Sequence, residues 1–395
     1  MTRCRFLPLI FTIAACSTAQ VGSGDPAPGA VGSGNDGGAV LPGDGSQQGA
    51  SVTDDAGKHS DASSSDAGNV SDASTGKTPE TRTAVDISSG VHDAVLANGK
   101  LWFVTDSDLR VVDDAATGTS HAVASWTASP YESSVAVGTS QVFVAHPRVN
   151  GGAGNGYVAD ITAIDIGTGT VHAVGTVPAD TASGPLDRYP ITADGDTAFI
   201  AASPNIWKAK VGAGVVKVSV GSSNYYVGDL VGGPGGFLYG IGTGSVGTLD
   251  RFDESGGSSS TGPVTEVSPG LVLVTSDAVY STDFGSGTHT IQRSDLALTT
   301  QSTFASFGAF GLGTDGVDLY ATRQTTGMMM VGTAITSTEI VAVSLATGAV
   351  DHVYAVQCGT GVSQHTCNWG ERQSLGVTST HVFAREGSQL VAFPK

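Results

Sequence analysis

Only 4 of the 395 residues are cysteine, 4 are tryptophan, and 14% carry a charge. So few cysteines leave no disulfide framework and no paired-thiol zinc ribbon. Lysine and arginine number 18 against 36 acidic residues, a formal net charge of −18. Phosphate backbones and anionic lipid surfaces repel such a chain, so nucleic acid is not expected as a partner. The apolar run from Phe6 to Ala15 stops far short of the roughly 20 residues that a membrane helix needs. No Gly-x-Ser-x-Gly elbow, phosphate-binding loop, His-Glu-x-x-His or Cys-x-x-Cys occurs. The common nucleophile, nucleotide and zinc signatures are therefore missing.

What is there begins with Arg3 and Arg5 ahead of that short apolar run. This is the layout of a removable signal peptide over residues 1–15. The segment Ile13-Ala14-Ala15-Cys16 resembles the bacterial lipobox, which implies that Cys16 becomes the acylated first residue of an exported lipoprotein. Contact with a membrane is then expected through the Cys16 lipid alone. Ser17, by the same resemblance to envelope lipoproteins, favours the outer membrane of the cell envelope. From 16 to 80 the chain is Gly, Ser, Ala and Asp without one aromatic residue, and Ser-Asp-Ala recurs at 60–62, 65–67 and 71–73. A stretch of that composition cannot bury enough apolar surface to order itself and is expected to be a disordered tether.

Residues 81–395 hold 27 Asp plus Glu against 14 Lys plus Arg, a net of −13 by subtraction. Seven times an apolar alternating run, a turn and a second run with a fixed aromatic recur, the aromatic being Phe103, Phe143, Phe199, Tyr239, Tyr280, Tyr320 and Phe383. The successive spacings are 40, 56, 40, 41, 40 and 63. A period of about 40 residues is that of a four-stranded propeller blade, and the two long intervals are the same unit with insertions. The pattern predicts an all-β, seven-bladed β-propeller. The last repeat ends at its third strand, so Thr83 to Ile87 is expected to supply the outer strand of the seventh blade and close the ring. The chain is expected to act as a monomer.

Third strands ending in a turn, best seen in Ala163-Ile164-Asp165 with Thr168-Gly169, make the domain resemble quinoprotein-like propeller repeats. The resemblance implies fold only. Quinone enzymes bring a tryptophan platform and often a vicinal cysteine pair, whereas Trp102, Trp126, Trp207 and Trp369 are scattered, so no cofactor is expected. Cys358 and Cys367, nine positions apart in an exported chain, are expected to form a disulfide contributing about 2 to 3 kcal/mol. The rival reading, a metal site using His365, is short of four ligands. No metal site is expected elsewhere; Asp194-Gly195-Asp196 reads as a turn, and Met328-Met330 as a contact or plug.

Two loop positions read as columns. Three residues after the aromatics stand Asp106, His146, Ala202, Gly242, Asp283, Arg323 and Glu386; eleven before them stand His92, Glu132, Arg188, Gly228, Pro269, Ala309 and Arg372. Charged or imidazole groups fill five of the first seven and four of the second, in a domain sparse in charge. Both columns are expected on one face around the axial channel, with Arg148, Tyr189, Tyr226 and Arg385 beside them. The insertions at 150–155, 179–187, 324–337 and 358–370 should fall on that face too. Two readings stand: a polar pocket with arginines gripping an anionic or carbonyl group, or a lattice of ion pairs. The first functional expectation is a non-catalytic binding or scaffold module for a protein, peptide or glycan partner. The alternative is a lyase or hydrolase using His92, Glu132, His146 and Arg188, with Asp106, Arg148, Asp283, Arg323, Arg372 and Glu386 contacting the ligand.

Overall fold

The computed structural model describes residues 82–87, 90–129, 131–150, 157–178, 188–202, 205–218, 227–242, 248–256, 260–261, 270–283, 290–328, 333–357 and 373–395. All of them belong to one compact unit, Ala73–Lys395. The leader 1–15, Cys16, the linker 16–80, the Cys358–Cys367 pair, Arg372 and Tyr226 lie outside the described residues.

The described chain is all strand and turn, folded into seven sheets, antiparallel but for one short parallel pair, that form a β-propeller. In the first blade the four strands are Val91–Ala97, Lys100–Thr105, Asp108–Asp114 and Thr119–Ser125, innermost first. The repeated phrase of the sequence is the inner hairpin of each blade. At its first turn Asn98 and Gly99 both take positive φ, 54° and 70°, the conformation a two-residue hairpin with right-handed twist requires.

Alternation along these strands sends apolar side chains to both faces of every blade, because each blade is sandwiched between two others. The result is seven separate apolar clusters, one for each neighbouring pair of blades. Phe143 and Ile200 meet between the second and third blades, and Tyr280 and Leu312 between the fifth and sixth. Six of the marker aromatics face the following blade. In the first blade Trp102 takes that role and Phe103 turns back against Phe383 of the seventh. With the core distributed around the ring, the axis is left to polar groups.

Closure follows the expected route. Thr83–Ala84 adds to the strand Gln389–Pro394, with Thr83 opposite Ala392 and Ala84 opposite Val391. Arg82 pairs with the buried carboxylate of Glu386, and Val85 N donates to Leu390 O at 2.9 Å. A second seam lies one blade earlier. Gln373–Ser374 pairs in parallel with Gly311–Thr314 of the sixth blade before the chain continues as the inner strand of the seventh. The sixth sheet therefore gains a fifth strand.

Candidate functional site

Residues at the start of an inner strand and just after a second strand meet at the mouth of the channel. In the first blade they bond directly: His92 Nε2 stands 2.6 Å from Asp106 Oδ1. The other ring nitrogen, Nδ1, accepts the Ser133 backbone N–H at 3.0 Å. A backbone N–H can only donate, so Nδ1 is bare and the ring proton sits on Nε2, pointing at Asp106. His92 is thereby held in one tautomer between two blades.

Ser133 also touches the second histidine of the columns, with Oγ 3.3 Å from His146 Nδ1. The His146 ring packs edge-on against Trp126, centroids 4.6 Å apart. Burial lowers its pKa from 6.5 to about 4, with Asp160 pulling weakly the other way. At neutral pH the ring is uncharged. The Ser–His contact resembles half of a nucleophilic dyad, but Ser133 is fully buried. The partner a catalytic histidine takes from a carboxylate is here the Trp126 ring.

Three further blades converge on the axis. Arg188, ahead of the third inner strand, reaches back to the first blade: its Nη2 donates to Asp93 Oδ1 at 2.7 Å and its Nε to Ser134 Oγ at 3.3 Å. Asp93 Oδ2 accepts Val135 N at 3.0 Å. Asp229 repeats this between the fourth and fifth blades, with Oδ1 accepting Leu230 N and Oδ2 accepting Val272 N, both at 2.9 Å. Burial works against the Arg188 charge, but the fields of Asp93, Asp229 and Glu132 outweigh it and raise the guanidinium pKa. Burial pushes the Asp229 carboxyl up despite its two backbone donors. Arg385, from the seventh blade, donates through Nη1 to the carbonyls of His92 at 2.5 Å and Val91 at 3.4 Å. Gln373 fixes its backbone by accepting Arg385 N at 2.5 Å and donating to Arg385 O at 3.2 Å.

The structure thus brings His92, Asp106, His146 and Arg188 together, while Arg148, Arg323 and Glu386 are each held in an ion pair of their own. Arg148 Nε lies 2.5 Å from Asp160 Oδ2 and Arg323 Nη2 lies 2.6 Å from Glu339 Oε2. Glu132 is exposed, and Asp283 ends its strand. Asp93, Asp229, Ser133 and Gln373 were missed by the columns. All four stand ten residues before their marker, one place beside the nearer column, where Gly270 and Phe310 dilute the polar signal. Between His92, Asp93, Arg188, Gln373 and Arg385 the cavity holds about 10 Å³, room for about one water. Among the described residues no group of three His, Cys, Asp or Glu is placed to hold a metal ion.

No protein-family model and no curated protein matches the chain. Solved structures do match in fold. The virginiamycin B lyase of Staphylococcus aureus is 11% identical, covers 80% of this chain and 98% of its own, and superposes with a TM-score of 0.54. YCF48 bound to D1 peptide gives 13% identity, 81% and 98% coverage and a TM-score of 0.52. The GH74 enzyme of Niastella koreensis gives 12%, 79% and 53%, with a TM-score of 0.56. At these identities the likeness is one of fold: the chain is similar to seven-bladed propellers that include enzymes and a binding protein.

Proposed function

We propose that this chain is an exported propeller, lipid-anchored through Cys16 at the outer membrane, that binds a protein, peptide or glycan partner through its mouth and catalyses nothing there. One observation carries the reading: His92, the candidate histidine that lines the mouth cavity of about 10 Å³, is already engaged through both ring nitrogens. A sugar ring or a scissile carbonyl needs a pocket of several hundred Å³. His92 is committed to Asp106 and to the Ser133 backbone, and His146 is uncharged against Trp126. A lyase or hydrolase would need these groups within reach of a substrate atom. YCF48, a propeller of similar fold, is known bound to a D1 peptide. A propeller of this fold can thus seat a peptide.

The test is cross-linked capture by the full chain in the cells that make it. Retention of one partner should fall at least tenfold on Arg323→Ala or Asp106→Ala, and stay unchanged on Lys217→Ala in an outer strand of the third blade. Equal retention by all four proteins would defeat the reading. Acylation is checked separately, by the intact mass of the mature N-terminus and by release of Cys16→Ser from membranes.

A further inference from the structure

Positive charge at the mouth comes from arginine. Arg148, Arg188, Arg323 and Arg385 stand there, whereas Lys100, Lys208, Lys210, Lys217 and Lys395 lie in second, third and fourth strands or at the chain end. A guanidinium differs from an ammonium in presenting a planar fork that matches a carboxylate. Three of these forks are filled, by Asp160, Asp93 and Glu339. The fourth is not. Among the described residues Arg385 meets the backbone carbonyls of Val91 and His92 alone, and its buried Nε has no hydrogen-bond partner there. Burial depresses its pKa and the like charge of Arg188 adds to this, with the charges of Glu132 and Asp93 pulling the other way. A charged group desolvated without a bonded counter-ion is costly, and an arriving anion removes that cost.

We infer that Arg385, with Arg188 behind it, receives the C-terminal carboxylate of a peptide partner. The inference rests on the binding-module reading and names the chemistry the mouth recognises. The adjoining cavity is lined by Arg188 and Arg385 together with Phe383 and Leu390. It admits about one water, hence one oxygen atom, and excludes a ring. A carboxylate oxygen entering there would accept from guanidinium donors and supply the missing charge. A domain of net charge near −13 by subtraction repels strongly acidic segments. A single anionic group at the end of a neutral or basic peptide suits both the narrow cavity and that field.

The probe is a pair of matched random octapeptide libraries, one ending in a free carboxylate and one in a carboxamide, presented to the full chain. Peptides selected from the acid library should bind at least tenfold tighter than their amides. Arg385→Gln should bring the acid forms down to the amide level, while Lys208→Gln leaves the difference intact. Arg385→Lys, which keeps the charge and loses the fork, should retain only part of it, and it is the variant read if Arg385→Gln melts early. Equal binding of acids and amides overturns the inference and leaves the binding module standing. So does a carboxylate preference that survives Arg385→Gln, or one that follows an internal Asp or Glu. If neither library binds, the inference and the peptide form of the reading fall together.

Discussion

Arg188 Nη2 lies 2.7 Å from Asp93 Oδ1, although 95 positions and an entire blade separate the two residues. The contact spans the channel from the third blade to the first, and Asp93 passes it on to the second by accepting Val135 N. Three blades are thus tied at the axis by polar contacts.

Removing the carboxylate should cost stability through two mechanisms at once. Asp93→Ala leaves Val135 N without its acceptor and Arg188 without its bonded counter-charge. A loss of about 2 to 4 kcal/mol is expected in equilibrium urea unfolding. Adding Arg188→Leu should recover at least about 1 kcal/mol of it, since the stranded charge is gone. Strict additivity of the two substitutions would mean that the pair is screened and contributes little.

The closing clasp depends on a glycine that no other residue can replace cheaply. Gly118 has φ +71°, and a Cβ there would stand 2.2 Å from the Ala84 carbonyl oxygen of the closing strand. That strand's continuation is anchored by Asp86 N donating to Gly118 O at 2.7 Å. Gly99 has nearly the same φ, +70°, with nothing within 4 Å. Gly99→Ala should therefore cost only the left-handed backbone strain, about 1 to 2 kcal/mol. Gly118→Ala should cost more, and should expose the amides of Thr83 to Val85 to hydrogen exchange before the other blades.

How much of this was legible in sequence depends on distance along the chain. The blade count, the inner hairpins and the closing strand are local patterns of period 2 and about 40, so counting finds them. Part of the mouth was legible as well, because columns counted from an aromatic contain His92, Asp106, His146 and Arg188, which the structure brings together. Asp93 and Asp229 escaped because they share a row with Gly270 and Phe310. Their meaning lies in a neighbouring blade's backbone amide some 42 or 43 positions away. Such a partner is fixed by ring closure, which no local pattern encodes. The Phe103 marker misled for a related reason: Trp102 faces forward there, and composition alone ranks the two rings equally.

Acid should destabilise the propeller through His146. Burial holds its folded pKa near 4, below the 6.5 of an exposed ring, so the unfolded chain takes up the proton first. The stabilising contribution is complete above about pH 6.5 and is lost as pH falls through 4, at up to about 1.4 kcal/mol per pH unit within the window. His146→Gln should be less stable than the natural chain at pH 7 and should lose about 2 kcal/mol less between pH 7 and 4.5. Parallel urea curves at both pH values would show that another group carries the acid transition.

Glu254 should act in the opposite direction. Its carboxyl is pushed up to about 7, first by burial, then by the charge and hydrogen bond of Asp194, with Asp253 adding and Lys208 opposing. These groups line a cleft between the hairpin turns of the third and fourth blades. Here the folded chain keeps a proton that the unfolded chain has released. The contribution is complete below about pH 4.5 and is lost as pH rises through 7. Glu254→Gln keeps the shape without the ionisation, so it should match the natural chain at pH 5 and exceed it at pH 8. The partly open cleft screens the charges, which limits the gain to about 1 kcal/mol. A loss at pH 8 instead would mean that ionised Glu254 draws Lys208 into a stabilising pair, and that the Asp194 contact is the weaker of the two.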